Sequence, residues 1–245
     1  MDQIKKAAEL IVNGKYNVAL TGAGISTESG IPDFRSASGY YASMDPMAAL
    51  SRDTLLYNPK RFYNEGYRIL EDLAGKEPNK GHKALKKLQD LNKLQGIITQ
   101  NIDNLHTRAG SAPVYEVHGE TRGVHCNECN GPLTFEAYKE KVHKGEIPPK
   151  CDICGGMLRP NVVMFGDMMP PAFEKAYDAA KRADVMIVVG SSLQVAPVSY
   201  LPQFAKSLII VNKERTPYDR DADVVIHEGC GEILTLISEE VEKLL

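Results

Sequence analysis

Four of the five cysteines fall in two Cys-x-x-Cys pairs, Cys126/Cys129 and Cys151/Cys154, separated by 21 residues. Each tight turn brings two thiolates to one point. Two such turns complete the tetrahedral sulfur shell that suits Zn²⁺. Turn formers follow each pair, Asn130-Gly131 and Gly155-Gly156. Four protein ligands leave no open position for water, so the spacing predicts a structural ion. A redox pair would stand at a helix start after a strand, and neither pair has that setting. Cys230 stands alone and reads as a small packing residue.

A second cluster follows an apolar run near the N-terminus: Thr21-Gly22-Ala23-Gly24-Ile25-Ser26-Thr27. Glycines after a strand let the backbone approach a phosphate, and a following helix start offers free N–H groups. The pattern resembles a dinucleotide fingerprint with Thr27 in place of the third small residue, and no acidic residue stands at the tip of a next strand about 20 positions on, where SASGYYASMDP reads as loop. These departures argue against a hydride-transferring dehydrogenase but keep the phosphate-binding physics. Pro32-Asp33-Phe34-Arg35 lies just downstream, with an arginine suited to phosphate and an aromatic suited to covering a flat ring.

Further polar groups sit where apolar runs end: Gln100-Asn101-Ile102-Asp103, His118-Gly119, Gly190-Ser191-Ser192 and Asn212-Lys213-Glu214. A histidine at a strand tip is placed for proton transfer near neutral pH. The other five histidines, His82, His106, His125, His143 and His227, read as structural or solvated.

The elements that must position these groups are short, β-branched runs: Asn17–Leu20, Gly96–Thr99, Val114–Val117, Val185–Val189, Leu208–Asn212 and Val224–His227. Continuous apolar character predicts strands buried on both faces. Helical patterns occupy Gly81–Leu91, Pro170–Arg182, Tyr200–Ala205 and Glu232–Leu245, and an amphipathic helix opens the chain between Asp2 and Asn13-Gly14. This alternation predicts an α/β, Rossmann-like, doubly wound parallel sheet. Every polar strand end then lies on one edge, where such sheets bind ligands. Two stretches interrupt the rhythm. Residues 36–80 are loop-rich and then helical around Pro59–Leu73, and residues 120–158 read as a compact, strand-poor unit. We expect these to form a small domain of a helical module and a zinc-binding module. The Rossmann-like domain takes residues 1–35, 81–119 and 159–245.

The net charge is −3 and the pI about 6.1, which gives no electrostatic footprint for nucleic acid or a membrane. No targeting segment and no apolar run of transmembrane length is visible, so the expected compartment is the cytoplasm.

With GAGIS, GIPDFR, TQNID, HG, paired Cys-x-x-Cys, FG and GSS in this order, the chain resembles the sirtuin family from about Leu10 to its last helix. The resemblance implies an NAD⁺-dependent protein-lysine deacylase that acts on acylated lysines of proteins or peptides. Its products would be free lysine, nicotinamide and acyl-ADP-ribose. His118 would be the general base, with Asn101 and Asp103 beside it and Asp103 on the nicotinamide carboxamide. Gly22, Ala23, Gly24, Thr27, Phe34, Arg35, Gln100 and Ile102 would border NAD⁺. Ser191, Ser192, Asn212, Lys213, Glu214 and Cys230 would hold its adenosine half. The stretches Val163, Met164, Phe165, Gly166 and Leu193, Gln194, Val195, Ala196 would sandwich the substrate as an added strand. Asp167 stands where the family usually has Glu, which bears on peptide preference. The Tyr-x-x-Arg pair of succinyl- and malonyl-removing members is absent from the helix around Arg61–Arg68, which favours acetyl or longer apolar groups. An NAD-dependent mono-ADP-ribosyltransferase on the same scaffold is the competing reading; it would share the cofactor site and differ in the acceptor.

Overall fold

The computed structural model describes residues 2–36 and 39–245. Six parallel strands form the main sheet in the order β3-β2-β1-β7-β8-β9. They are β1 (Asn17–Thr21), β2 (Gly96–Thr99), β3 (Val114–Glu116), β7 (Val185–Val189), β8 (Ser207–Val211) and β9 (Val224–Ile226). Strands β1, β2 and β7 are buried at every residue, which is why they read as unbroken apolar runs rather than alternating ones. The order reverses between β1 and β7, which lie in register from Asn17↔Val185 to Thr21↔Val189. That reversal opens a crevice beyond the two strand ends.

One face of the sheet carries the helices Asp2–Asn13, Lys80–Asp90 and Cys230–Lys243. The last presents Ile233, Leu234, Ile237 and Val241 inward at helical spacing, all buried. Each such side chain contributes about 2 kcal/mol of burial. The other face carries the helix Pro171–Arg182 and the 3-10 segment Val198–Phe204, whose Ala176, Ala179, Ala180, Val198 and Leu201 pack on Leu20, Ile98, Met186 and Ile210.

The interruptions between strands fold together. One apolar cluster contains Tyr40, Leu55, Phe62, Tyr63, Tyr67 and Leu70 from the first and Val124, Cys126, Phe135, Tyr138, Cys151 and Leu158 from the second. The Tyr63 and Tyr138 hydroxyls meet at 2.6 Å. The region 120–158 is not strand-poor as expected. A three-stranded antiparallel sheet, β5-β4-β6, runs through it, from β4 (Gly119–Cys126), β5 (Pro132–Thr134) and β6 (Leu158–Val162). The short strand β5 and the polar residues of β4 hid this sheet from a reading by apolar runs. The stretch Pro59–Leu73 is helical in pieces: Pro59–Arg61, a widened turn at Phe62–Gly66, and Tyr67–Glu71. Gly66 sits against the Ala49 backbone, where any Cβ would collide. The expected loop Ser36–Ala49 carries two short helical segments, Tyr40–Ala42 and Pro46–Ala49, while its residues 37–38 lie outside the described residues.

Among the described residues, no helix is long and apolar enough to cross a membrane.

Candidate active site

A cavity of about 610 Å³ occupies the crevice at the β1/β7 reversal and extends under the small cluster. Strand β1 delivers Gly22, Ala23, Gly24 and Thr27 to it; Phe34 and Arg35 follow. Strand β2 delivers Gln100, Asn101, Ile102 and Asp103. His118, Ser191, Ser192, Asn212, Lys213, Glu214 and Cys230 complete the wall on this side, and Val163, Met164, Phe165, Gly166, Val195 and Ala196 line the mouth. Leu193 and Gln194 do not line it. Leu193 turns into the core with a left-handed backbone, φ 53°, and Gln194 faces solvent.

The glycine turn has a closer purpose than phosphate approach alone. A Cβ on Gly24 would stand 2.7 Å from Gly190 Cα, and one on Gly22 2.8 Å from the Gly190 carbonyl oxygen. The Gly24 N–H donates to that carbonyl at 2.8 Å, and the Gly22 N–H to Val189. The turns after β1 and β7 therefore touch backbone to backbone, and only glycine fits. The helix start that follows is a 3-10 helix, Ala23–Ser29. Thr27 stands in place of the small residue because its hydroxyl closes this tight helix onto the Gly24 carbonyl at 2.9 Å.

His118 is half-buried beyond β3, and its Nδ1 lies 3.0 Å from the Gln100 carbonyl oxygen. A carbonyl only accepts, so the neutral ring carries its proton on Nδ1 and its lone pair on Nε2. Burial holds its pKa below the usual histidine value, opposed by the Gln100 bond. The imidazole is thus neutral near pH 7, with one basic nitrogen.

Asp103 is 7% exposed, a carboxylate few proteins bury without partners. It accepts from the Ser26 hydroxyl at 2.6 Å and the Leu105 N–H at 2.9 Å. Burial raises its pKa, and these two bonds restrain the rise. Ser26 also accepts from Asn101 Nδ2 at 3.1 Å, and the same amide donates to the Gly22 carbonyl. Ser26 joins both strand tips and was missed as a site residue; its place inside GAGIS was the available signal. Gln100 Nε2 donates to the Ser191 hydroxyl at 2.9 Å, which also accepts from the Leu193 N–H. Ser191 therefore links the β2 tip to the loop expected to contact substrate. Glu28 was missed as well: it accepts from the Gly231 N–H at 2.9 Å, at the positive end of the last helix. Cys230 is buried, and burial pushes its thiol up to about 12, so it packs rather than reacts.

At the mouth, the chain from Val163 to Gly166 is held on one side only. The Phe165 N–H and C=O pair with Leu50 and Arg52, and the Val163 N–H donates to the His118 carbonyl. Asp167 binds Arg159 with both oxygens and accepts from the Met164 N–H at 2.9 Å. Both partners of this pair are largely shielded from solvent. Asp167 is thus turned inward. Among the described residues, the Val163 C=O and both backbone groups of Gly166 have no backbone partner, leaving an open edge.

The four cysteine sulfurs lie within 4.8 Å of one another, with Cys126–Cys154 at 3.4 Å and Cys129–Cys151 at 3.8 Å. Tetrahedral Zn–S bonds of about 2.3 Å require sulfurs roughly 3.8 Å apart, so the donor set fits the ion.

The family model described as Sir2 family matches residues 22–197. This chain belongs to the Sir2 family. It is 54% identical over 228 residues to "NAD-dependent protein deacetylase 2" of Caldanaerobacter subterraneus subsp. tengcongensis, covering 93% of this chain and 91% of that one. A Sir2–p53 peptide–NAD⁺ structure superposes with a TM-score of 0.88 at 36% identity, covering 96% of this chain and 97% of that one. A Sir2 enzyme bound to a propionylated peptide gives the same score and identity over 97% and 98%. The sirtuin resemblance carried by the motifs is therefore a family membership.

Proposed function

We propose that this Sir2-family chain is an NAD⁺-dependent protein-lysine deacylase, with acylated lysines of proteins or peptides as substrates. One observation carries the reading: the Gln100-oriented imidazole of His118 shares a cavity wall with Asn101 and the buried Asp103, and that cavity opens on the free edge at Val163 and Gly166.

Bound NAD⁺ supplies the acceptor for the acyl group and nicotinamide as the leaving group. Gly22, Ala23, Gly24, Thr27 and Arg35 border its phosphates. Ser191, Ser192, Asn212, Lys213, Glu214 and Cys230 take the adenosine half. Asn101, Ile102 and Asp103 take the nicotinamide and its ribose, with Phe34 limiting water. His118 Nε2 accepts a proton from a ribose hydroxyl. A substrate strand adds to Val163–Gly166, with Val195 and Ala196 opposite; Leu193 acts from beneath by shaping its loop. Zinc on Cys126, Cys129, Cys151 and Cys154 holds the small domain, made of residues 36–80 and 120–158, and takes no part in the chemistry. Reduced thiols and an acidic pI fit a cytoplasmic protein without nucleic-acid or membrane partners.

The inner cavity wall is apolar at Phe34, Leu50, Ile69, Leu73 and Phe165. Acetyl and longer apolar acyl groups are therefore preferred over succinyl. The test is a mass-resolved assay with NAD⁺ and a panel of acyl-lysine peptides. Acyl-ADP-ribose with free lysine is the expected product. Protein-linked ADP-ribose in its place would instead identify an ADP-ribosyltransferase, and fastest turnover of succinyl-lysine would overturn the acyl preference.

A further inference from the structure

The loop that carries Phe34 doubles back on itself. The Tyr40 N–H donates to the Asp33 carbonyl and the Tyr41 N–H to the Phe34 carbonyl, each at 2.9 Å. These bonds lay the Tyr40 ring beside the Phe34 ring, with centroids 5.5 Å apart and planes at 55°. Both residues line the cavity, and Tyr40 is 7% exposed. Tilted rings at this distance attract each other, so fixing one restrains the other.

The single polar atom of the Tyr40 side chain finds its partner in the small domain. Its hydroxyl donates to Asp72 Oδ2 at 3.1 Å. Burial, and then the nearby Asp72 carboxylate, raise the Tyr40 pKa, so the hydroxyl stays protonated and serves as the donor. Asp72 directly follows the helix Tyr67–Glu71, whose Ile69 and Leu70 are buried in the tyrosine cluster. Its own side chain lies at the surface, while Ile69 and Leu73 on either side of it in sequence line the cavity. The loop from the glycine turn is thus tied to the helical module by one bond, and that bond ends on the ring that touches Phe34.

The position of Phe34 matters because two nucleophiles compete for the anomeric carbon of NAD⁺. Attack by the acyl-lysine oxygen leads to deacylation. Attack by water joins the water oxygen to that carbon, breaks the bond to nicotinamide, which leaves with the bonding pair, and releases one proton; ADP-ribose forms and the lysine stays acylated. We propose that the Tyr40–Asp72 hydrogen bond is a clasp that holds Phe34 where it keeps water from this carbon, with Asp72 as a positioning residue. The inference rests on reading the cavity as the NAD⁺ site and deepens that reading. The peptide edge is anchored elsewhere, on Leu50, Arg52 and Asp167.

Tyr40→Phe keeps the ring and its contact with Phe34 and removes only the hydroxyl. Asp72→Ala removes the acceptor, and Asp72→Asn keeps a carbonyl oxygen in its place. Each protein is given NAD⁺ and an acetyl-lysine peptide, and ADP-ribose and acetyl-ADP-ribose are separated by mass. Tyr40→Phe and Asp72→Ala are each expected to raise the ratio of ADP-ribose to acetyl-ADP-ribose about fivefold, the scale of one partly exposed hydrogen bond. KM for NAD⁺ should rise by a similar factor, with peptide KM within about twofold. Asp72→Asn should return both readouts to within about twofold of wild type. The double variant Tyr40→Phe/Asp72→Ala should be no worse than either single one, because both act through one bond. An unchanged ratio in Tyr40→Phe or Asp72→Ala overturns the clasp. So does an Asp72→Asn ratio as high as that of Asp72→Ala, an additive double variant, or a peptide KM raised as much as that for NAD⁺. If Tyr40→Phe does not fold, the two variants at the exposed Asp72 decide. A wild-type protein that releases no nicotinamide with any acyl-peptide sinks the cofactor reading, whereas normal wild-type turnover with unresponsive variants sinks the clasp alone.

Discussion

At the scale of single residues, His118, proposed as the general base, shows how position sets the state of an ordinary side chain. The Gln100 carbonyl fixes the tautomer, and burial keeps the ring neutral below the usual histidine pKa. His118→Ala is expected to lower NAD⁺-dependent deacylation at least ~100-fold, the usual scale of general-base removal, as read from acyl-ADP-ribose formation. An unchanged rate would remove this imidazole from the chemistry. The sign of the pH effect follows from the direction of the shift. The base is competent once pH exceeds its depressed pKa, so kcat/KM should hold steady below pH 6.5 and fall only as pH drops through the lower value. A limb at or above 6.5 in the wild-type profile contradicts the burial argument. His118 and Asp103 were legible in the sequence because strand tips are legible. Ser26, Glu28 and the orientation of Asp167 were not, since each is defined by a partner distant in sequence: Asp103, Gly231 and Arg159.

At the scale of elements, the stretch Val163–Gly166 is held by backbone bonds to His118, Leu50 and Arg52 and by the Asp167–Arg159 ion pair at its end. Asp167→Asn keeps the size and removes the charge, leaving the shielded Arg159 guanidinium without its counter-ion. Peptide KM is expected to rise about tenfold while KM for NAD⁺ stays unchanged, because the cofactor wall is built on other strands. Steady-state kinetics with each substrate varied in turn separates the two. An equal rise in both would place Asp167 in the cofactor site. The main-sheet strands were found from sequence to within about one residue because each is centred on a short, largely β-branched apolar run. The small sheet was not. Strand β4, Gly-Glu-Thr-Arg-Gly-Val-His-Cys, is half polar and shifts register between Gly119 and Val124, so its pairing is set by tertiary contact. The 3-10 form of the helix after β1 was not legible either. Gly190 across the crevice takes the Gly24 N–H and dictates the turn.

At the scale of the whole molecule, two buried histidines make the fold acid-sensitive. His82 titrates near 4 when folded and near 6.5 when unfolded, so the unfolded chain binds the extra proton between these values. Its stabilisation is complete above pH 6.5 and is lost as pH falls toward 4, about 3 kcal/mol in all, with His106 adding in the same direction. Thermal melts should show Tm falling steadily across that window, and a flat Tm would contradict it. Zinc acts on the same scale. Cys126 and Cys151 belong to the apolar cluster that also holds Tyr63, Tyr67 and Tyr138, and Phe34, Ile102 and Phe165 pack against it. Removing the ion with a strong chelator is expected to abolish activity by loosening this cluster, visible as lost near-ultraviolet dichroism. Full activity with zinc demonstrably absent would contradict the structural role.

The cavity lies where separate apolar cores meet: the two that sandwich the main sheet and the one gathered around the tyrosines. Whatever fills that space touches all three, so occupancy acts as mortar among them. Saturating cofactor together with peptide should move melting to a higher temperature, with a gain that grows with the logarithm of ligand concentration.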